Sequence, residues 1–182
     1  QRVASVVDYL RSKKIKAGAM HLRMVRPFPG KELCELLAGK KGVTVLERVS
    51  QPLDSEPPIF RDVLSALDKA AQNSGKKKNP VFPDFPAMSE RERPVMYSGQ
   101  YGTGDASLTY ADIVRVFENM ISAGQRRFFV DINFTRTTSS YPKQQILLQN
   151  IKRDYPEIDR WSLDIAKSTG ILTDQTFTLR WI

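Results

Sequence analysis

The feature that most constrains the fold is a regular order of sequence blocks. Each block resembles a strand that ends in a charged or Gly/Pro-rich loop, and a helical pattern follows it. The blocks lie at residues 22–29, 43–48, 55–63 and 94–102. Strands that alternate with amphipathic helices are typical of an α/β domain whose loops gather at one edge of a parallel sheet. We therefore predict an α/β fold of three layers, with a mostly parallel sheet and helices on both faces.

Apolar periodicity and turn residues predict the individual elements. Helices are predicted at 1–14, at 31–37, from the Pro57-Pro58 pair onward, after a capping-box-like Thr109, and at 143–155. Strands are predicted at 17–25, 42–46, 94–98, 127–134 and 176–182. The remaining segments are predicted to be an exposed connection (73–93), a glycine-containing loop (99–105) and a stretch with one more short helix (156–175).

Composition limits the class of protein. A hydrophobic fraction of 41% in 182 residues suffices for a real core. Apolar runs are too short to span a bilayer, and Gln1-Arg2 leads into an amphipathic pattern rather than a signal peptide, so no membrane association and a cytoplasmic location are expected.

Because Gln1 is not a natural start, we expect the chain to be part of a longer one. The net charge of +8 suggests nucleic-acid binding, but the charge is dispersed, and it indicates a docking surface for an acidic partner or an anionic cofactor at least as well.

Residue counts exclude three features that depend on several cysteines or histidines. The chain has one cysteine, Cys34, and one histidine, His21. It therefore offers no internal disulfide, no cysteine cluster for a metal, and no histidine-rich site. Cys34 lies in a helical pattern and is predicted to be a packed, unreactive thiol.

The ordered motifs also resemble a known family. They are Arg26-Pro27-Phe28-Pro29, Leu46-Glu47-Arg48, Glu56-Pro57-Pro58-Ile59-Phe60-Arg61-Asp62-Val63 and Gly99-Gln100-Tyr101-Gly102. In this order and spacing they resemble domain II of pyruvate:ferredoxin (flavodoxin) oxidoreductase and related 2-oxoacid:ferredoxin oxidoreductases. That domain is similar to the C-terminal domain of transketolases. The resemblance covers about residues 1–135, and residues 136–182 are expected to form an extension that ends at the start of the following domain.

The resemblance implies an oxidoreductase that decarboxylates a 2-oxoacid, most simply pyruvate, to acyl-coenzyme A and passes electrons to ferredoxin or flavodoxin. Thiamine diphosphate, iron–sulfur clusters and coenzyme A are implied for the whole enzyme, and none of them for this chain, which lacks the cysteines for a cluster. The chain would be a non-catalytic structural domain. Its partners would be the other domains or subunits of the same oxidoreductase, which is expected to form a homo-oligomer.

Candidate binding residues lie near the predicted carboxyl edge of the sheet, where α/β folds place ligands. They are Arg26, Glu47, Arg48, Gly99, Gly102 and Gly104. Arg26 is interpreted either as the partner of a nearby carboxylate such as Glu47 or as a fork for an anion. The three glycines either provide the backbone conformation that a tight turn requires, or they leave backbone amides exposed to bind an anion before the next helix.

Two other functions stay open at this point. The chain is alternatively a basic α/β binding module for nucleic acid or for an acidic protein such as ferredoxin, which strongly salt-dependent binding would favour. It is alternatively the C-terminal domain of another thiamine-dependent enzyme, which the sequence outside residues 1–182 would distinguish.

Overall fold

A computed structural model of the chain describes residues 2–48, 56–76, 78–102, 108–130, 132 and 141–163, apart from the side chains of Gln144 and Asp159. The helices are α1 (Arg2–Ser12), α2 (Gly30–Leu37), α3 (Pro58–Gln72), α4 (Tyr110–Ile121), α5 (Pro142–Asp154) and α6 (Ile158–Trp161). The strands are β1 (Gly42–Arg48), β2 (Val95–Tyr101) and β3 (Arg127–Phe129). Helices and strands alternate, as the sequence predicts.

The three strands form one parallel sheet in the order β1-β2-β3. In the register, Gly42 faces Val95 and Arg48 faces Tyr101, while Ser98 faces Arg127. Parallel strands in register bring their carboxyl ends to the same edge. Glu47 and Arg48 therefore lie at the edge where β2 also ends.

Helices cover both faces of the sheet. Val45 and Met96 pack with α2 and α3, in a cluster built around Leu33, Val63 and Leu67. Their strand neighbours Leu46 and Tyr97 belong to a cluster with Val116 of α4 and Phe128 of β3. Helix α1 packs against α4 through Val6, Val7 and Leu10. Because successive strand residues point to opposite faces, this division confirms the predicted three-layer α/β fold.

Local signals set the starts of α3 and α4. Pro58 is the first residue of α3, where the missing proline amide costs no hydrogen bond. The Thr109 side chain accepts from the amide of Asp112, whose carboxylate accepts in turn from the amide of Thr109. This reciprocal capping box confirms the predicted start of α4.

The strand predicted at 17–25 does not form in the described residues. This segment lies outside the sheet and carries no strand assignment. It is nevertheless anchored, because Ala17 packs against the α1/α4 cluster and Leu22 against the α2/α3 cluster. A strand needs a hydrogen-bonded neighbour, which a sequence pattern does not supply.

Three other segment predictions are changed by the structure. Residues 99–101, predicted as loop, continue β2, and β3 is described only for Arg127–Phe129 of the strand predicted at 127–134. The connection at 73–93 is not simply exposed, because Met88 is buried and its amide donates to the carbonyl of Ala70 at 2.9 Å. The strand predicted at 176–182 lies outside the described residues.

The chain beyond β3 returns to the sheet. Helices α5 and α6 confirm the two helices predicted there. Ser162 forms an isolated parallel bridge with Phe129, and the amide of Leu163 donates to the carbonyl of Phe129 at 3.2 Å. Leu163 is buried in the cluster that contains Phe128 and Val130. Part of the segment predicted to be an extension thus packs in the core beside the sheet.

Candidate functional site at the carboxyl edge of the sheet

Glu47 links the end of β1 to the start of α3. Its Oε1 accepts from the amide of Ile59 at 2.9 Å and its Oε2 from the amide of Phe60 at 2.8 Å. Both amides belong to the first turn of α3, where helix amides have no partner within the helix. The carboxylate charge is also favourable at the positive end of the helix dipole. Glu47 is therefore an internal helix cap, and the structure does not pair it with Arg26.

Arg26 instead pairs with Asp62, one turn into α3. The distance from Arg26 Nη1 to Asp62 Oδ2 is 2.7 Å, and the same nitrogen donates to the carbonyl of Val25 at 2.6 Å. The Arg26 side chain is 66% exposed, so this ion pair contributes little to stability. The structural interpretation of Arg26 is thus supported, with a different carboxylate from the one suggested by the sequence.

Arg48 and Gly102 meet across the ends of β1 and β2. Gly102 has a φ of +86°, in the left-handed region that favours glycine. A Cβ on Gly102 would lie 2.6 Å from Cγ of Arg48. Glycine is therefore favoured at position 102 both by the left-handed backbone at the end of β2 and by the close passage of the Arg48 side chain. This supports the turn interpretation of Gly102. Gly104 lies outside the described residues.

Gly99 is a strand residue rather than a loop glycine. It lies inside β2, and a Cβ there would lie 2.8 Å from Cε2 of Phe128 and 3.0 Å from Cδ1 of Leu46. Phe128 is fully buried. The absent side chain of Gly99 is thus the space that the Phe128 ring needs, which places Gly99 in the core and not in an anion-binding loop.

Replacing Gly99 by alanine is expected to lower the free energy of unfolding by about 2 kcal/mol, because an added methyl group overpacks a closed core. Gly18→Ala is the matched control, since Gly18 is exposed and its nearest contact for a Cβ is Nη2 of Arg11 at 3.9 Å. Urea unfolding of the two variants measures the difference. Equal stability of both variants would contradict the role assigned to Gly99.

Buried polar groups next to Glu47 were missed by the sequence analysis. Ser98 and Gln100 are 1% and 2% exposed and project from β2 toward α3, with Gln100 beside Glu47 in the register. Ser98 Oγ, Gln100 Oε1 and Glu56 Oε2 are buried without a protein hydrogen-bond partner in the described part of the chain. Gln100 stands in a motif that carries the family resemblance. The sequence therefore marked the position of Gln100, but it did not reveal that this side chain is buried.

The described residues do not fit a metal or an iron–sulfur cluster. They include no group of three or more His, Cys, Asp or Glu side chains that is placed to hold a metal ion. A cluster usually takes four cysteine thiolates, and Cys34 is the only cysteine of the chain. Cys34 is fully buried, and its burial, with a smaller contribution from the negative charge of Glu35, raises the pKa of the thiol to about 11. The thiol is therefore protonated at neutral pH and unreactive.

The raised pKa of Cys34 predicts a loss of stability at alkaline pH. The unfolded thiol ionises near pH 9.0 and the folded thiol near 11, so the unfolded state binds fewer protons between these values. Stability from this group is complete below pH 9 and falls as the pH rises, by about 1 kcal/mol between pH 8 and 10. We expect urea unfolding of the chain to show this slope in excess of that of Cys34→Ala. Parallel pH profiles of the two proteins would contradict it.

The geometry defines the class of fold and the role of the edge residues. The chain contains an α/β domain with a parallel sheet, and the polar residues at its carboxyl edge tie strands, helix and turns together. No helix in the described residues is long and apolar enough to cross a membrane.

Comparisons with known proteins then identify the relatives. Residues 1–81 match the family model described as pyruvate:ferredoxin oxidoreductase core domain II. The pyruvate-flavodoxin oxidoreductase of Nostoc sp. is 27% identical over 146 residues, which cover 78% of this chain and 12% of that protein. Subunit PorA of pyruvate synthase from Thermotoga maritima is 33% identical over 117 residues, 64% of this chain and 24% of the subunit. The probable pyruvate-flavodoxin oxidoreductase of Escherichia coli is 30% identical over 148 residues, 80% of this chain and 11% of that protein.

These matches confirm the predicted resemblance: the chain is homologous to core domain II of the pyruvate:ferredoxin (flavodoxin) oxidoreductases. It spans at most about a quarter of the length of the relatives described above. It thus corresponds to one part of those longer relatives.

Proposed function

We propose that the chain is a non-catalytic structural domain of a thiamine-diphosphate-dependent 2-oxoacid:ferredoxin oxidoreductase, with pyruvate as the first substrate to test. The observation that carries the proposal is the match of residues 1–81 to domain II, extended by relatives that align over up to 148 residues. The match favours this enzyme over another thiamine-dependent enzyme. The dispersed basic charge does not by itself favour a nucleic-acid-binding module.

The geometry of the carboxyl edge supports a structural role. Glu47 accepts hydrogen bonds from two amides of α3, and Arg26 forms an ion pair with Asp62. Gly99 packs in the core against the Phe128 ring. Groups that are engaged in this way stabilise the domain and leave no charged cluster assembled for chemistry in the described residues. The bond-breaking steps would be carried out by thiamine diphosphate, iron–sulfur clusters and coenzyme A held elsewhere in the enzyme.

We also propose that residues 1–135 form the domain proper and that residues 136–182 are an extension leading toward the next domain. The bridge from Ser162 to Phe129 supports a view in which this extension packs back on the sheet before it leaves. Other domains or subunits of the same enzyme would be its immediate partners, and a cytoplasmic location fits such an enzyme.

The test is an assay of the parent enzyme that contains this chain. We expect pyruvate-dependent and coenzyme-A-dependent reduction of ferredoxin, flavodoxin or a viologen dye. 2-Oxoisovalerate replaces pyruvate in a parallel assay, because the chain itself does not define the 2-oxoacid. Absence of acceptor reduction with every 2-oxoacid would overturn the proposal. Tight binding of thiamine diphosphate by the 182-residue chain alone would overturn the structural role.

A further inference from the structure

Three side-chain oxygens are buried near the start of α3 without a hydrogen-bond partner in the described part of the chain. They are Ser98 Oγ, Gln100 Oε1 and Glu56 Oε2. Ser98 and Gln100 are 1% and 2% exposed, and Glu56 is half-buried with its Oε2 shielded from solvent. Buried polar groups in folded proteins are almost always hydrogen-bonded, because leaving one without a partner costs free energy. These oxygens therefore call for a partner beyond the described protein groups.

The topology brings the three residues to the same place in the fold. Ser98 and Gln100 lie two residues apart in β2 and project from the same face of the sheet, toward α3. Gln100 faces Glu47 in the register, and Glu47 accepts from the amide of Ile59 at 2.9 Å. Glu56 lies three residues before Ile59, in the segment that enters α3. Glu47 thus holds this segment beside Gln100.

The spacing along β2 suits a single small bridging group. Residues two apart on a parallel strand have Cα atoms about 6.6 Å apart, and a group with two hydrogen bonds of about 2.8 Å joins oxygens about 5.6 Å apart. The long side chain of Gln100 makes up the difference. The protein oxygens also define what the group must offer. Gln100 Oε1 and a carboxylate oxygen of Glu56 only accept, whereas the hydroxyl of Ser98 also donates.

We propose that Ser98, Gln100 and Glu56 bind one internal water molecule, which links strand β2 to the segment that enters α3. The water donates its two hydrogens to Gln100 Oε1 and Glu56 Oε2 and accepts from the hydroxyl of Ser98. Three hydrogen bonds to otherwise unsatisfied groups are typical of a buried water. Every donor and acceptor of this arrangement is then paired.

A water fits these oxygens better than a metal ion does. A hard cation such as Ca²⁺ takes about six to eight oxygen ligands. The carboxylate of Glu47 also lies here, but its two oxygens already accept from the amides of Ile59 and Phe60. In addition, the described residues include no group of three or more His, Cys, Asp or Glu placed to hold a metal ion. Three remaining oxygens match the valence of a water.

The water gives a role to two motif residues that the contacts within the protein leave unexplained. Gln100 belongs to the motif at 99–102, and Glu56 opens the motif at 56–63. Pro57 and Pro58 follow Glu56 and have no amide hydrogen, so the segment that enters α3 has few backbone donors of its own. A water held by Glu56 supplies a link to β2 where the backbone offers none.

A high-resolution crystal structure of the parent protein that contains this chain tests the site. We expect one electron-density peak within about 3.2 Å of Ser98 Oγ, Gln100 Oε1 and Glu56 Oε2. Crystals grown with thallium(I) or manganese(II) salts distinguish a water from a cation, because these ions replace monovalent and divalent cations and scatter anomalously. An anomalous peak at the site, a direct hydrogen bond between Gln100 and Glu56, or no peak would overturn the proposal.

Gln100→Met tests the link, because methionine has a similar shape and no carbonyl acceptor. We expect the peak to disappear and the amides of Ile59 and Phe60 to exchange at least about tenfold faster relative to amides within α4, which follow global stability. Gln72→Met is the matched control, since Gln72 is exposed on α3, and it is expected to keep both the peak and the exchange rates of the wild type. A peak retained in Gln100→Met, or equal relative exchange in both variants, would overturn the proposal.

The water site and the proposed function are tested separately. The water is expected in the folded domain whichever reaction the parent protein catalyses. A parent protein that shows the peak but reduces no acceptor with any 2-oxoacid contradicts the proposed function and leaves the water site in place. An active enzyme without the peak contradicts the water site alone.

Discussion

Replacing Glu47 by alanine is expected to lower the free energy of unfolding by about 3 kcal/mol. The substitution removes a charged acceptor from the amides of Ile59 and Phe60, which lie 2.9 and 2.8 Å from its two oxygens. It also removes a negative charge from the positive end of the 15-residue helix α3. Because the same side chain closes the end of β1 onto α3, its loss affects the sheet and the helix together. Urea unfolding followed by far-UV circular dichroism measures the change.

Two further variants separate the cap from a general effect of charge. Glu47→Gln keeps one carbonyl acceptor and is expected to lose about half as much stability. Glu35→Ala removes an exposed carboxylate from α2 and is expected to change stability by less than about 0.5 kcal/mol. If Glu47→Ala were no more destabilising than Glu35→Ala, the hydrogen bonds to α3 would not stabilise the protein, and Glu47 would become a candidate for ligand binding again.

Glu47 and Arg26 show how far the sequence alone could predict the edge of the sheet. Their placement at this edge followed from strand periodicity and the parallel topology. Their partners did not, because the approach of α3 to the end of β1 decides which carboxylate meets Arg26 and which meets free amides. Asp62 lies within the same motif as Pro58, and no rule of spacing favours it over Glu47. Side-chain pairing across elements is set by tertiary geometry, which periodicity does not encode.

The segment at 17–25 and Gly99 show two further limits of local patterns. Alternation predicted a strand at 17–25, but pairing depends on a neighbour, and in the described residues this segment has none. The sequence predicts that Gly99 begins a glycine-containing loop, and glycine in general weakens strands. Here it continues β2, because the buried Phe128 ring occupies the place of its side chain. Helices α3 and α4 were predicted well, since proline and the capping box act within a few residues.

Asn73 is the clearest feature that no sequence pattern revealed. Its side chain holds the connection at 73–93, between α3 and β2, through hydrogen bonds. The side chain is 1% exposed. Its Nδ2 donates to the carbonyls of Phe82 and Phe85 at 2.8 and 2.9 Å, and its Oδ1 accepts from the amide of Phe82 at 2.9 Å. One amide group thus satisfies three backbone groups, and the connection can then place Met88 in the core.

Asn73→Ala is expected to lower the free energy of unfolding by about 3 kcal/mol, because it leaves backbone donors and acceptors near the core without a partner. Asn73→Asp keeps the acceptor for Phe82 but sets a carboxylate against two carbonyl oxygens, so we expect it to be at least as destabilising. Gln72→Ala is the control, since Gln72 is exposed and its side chain, within the described residues, bonds only to Asp68 of its own helix. It is expected to change stability by less than about 0.5 kcal/mol.

Hydrogen exchange distinguishes a local fastening from a purely global effect. If Asn73 holds the connection, the amides of Phe82 and Met88 exchange faster in Asn73→Ala than the decrease in global stability accounts for, while amides within β2 follow the global change. A uniform increase at all three places would mean that Asn73 contributes only to overall stability. Wild-type stability in Asn73→Asp would contradict the role of the two donated hydrogen bonds, because that variant removes them while conserving the shape of the side chain.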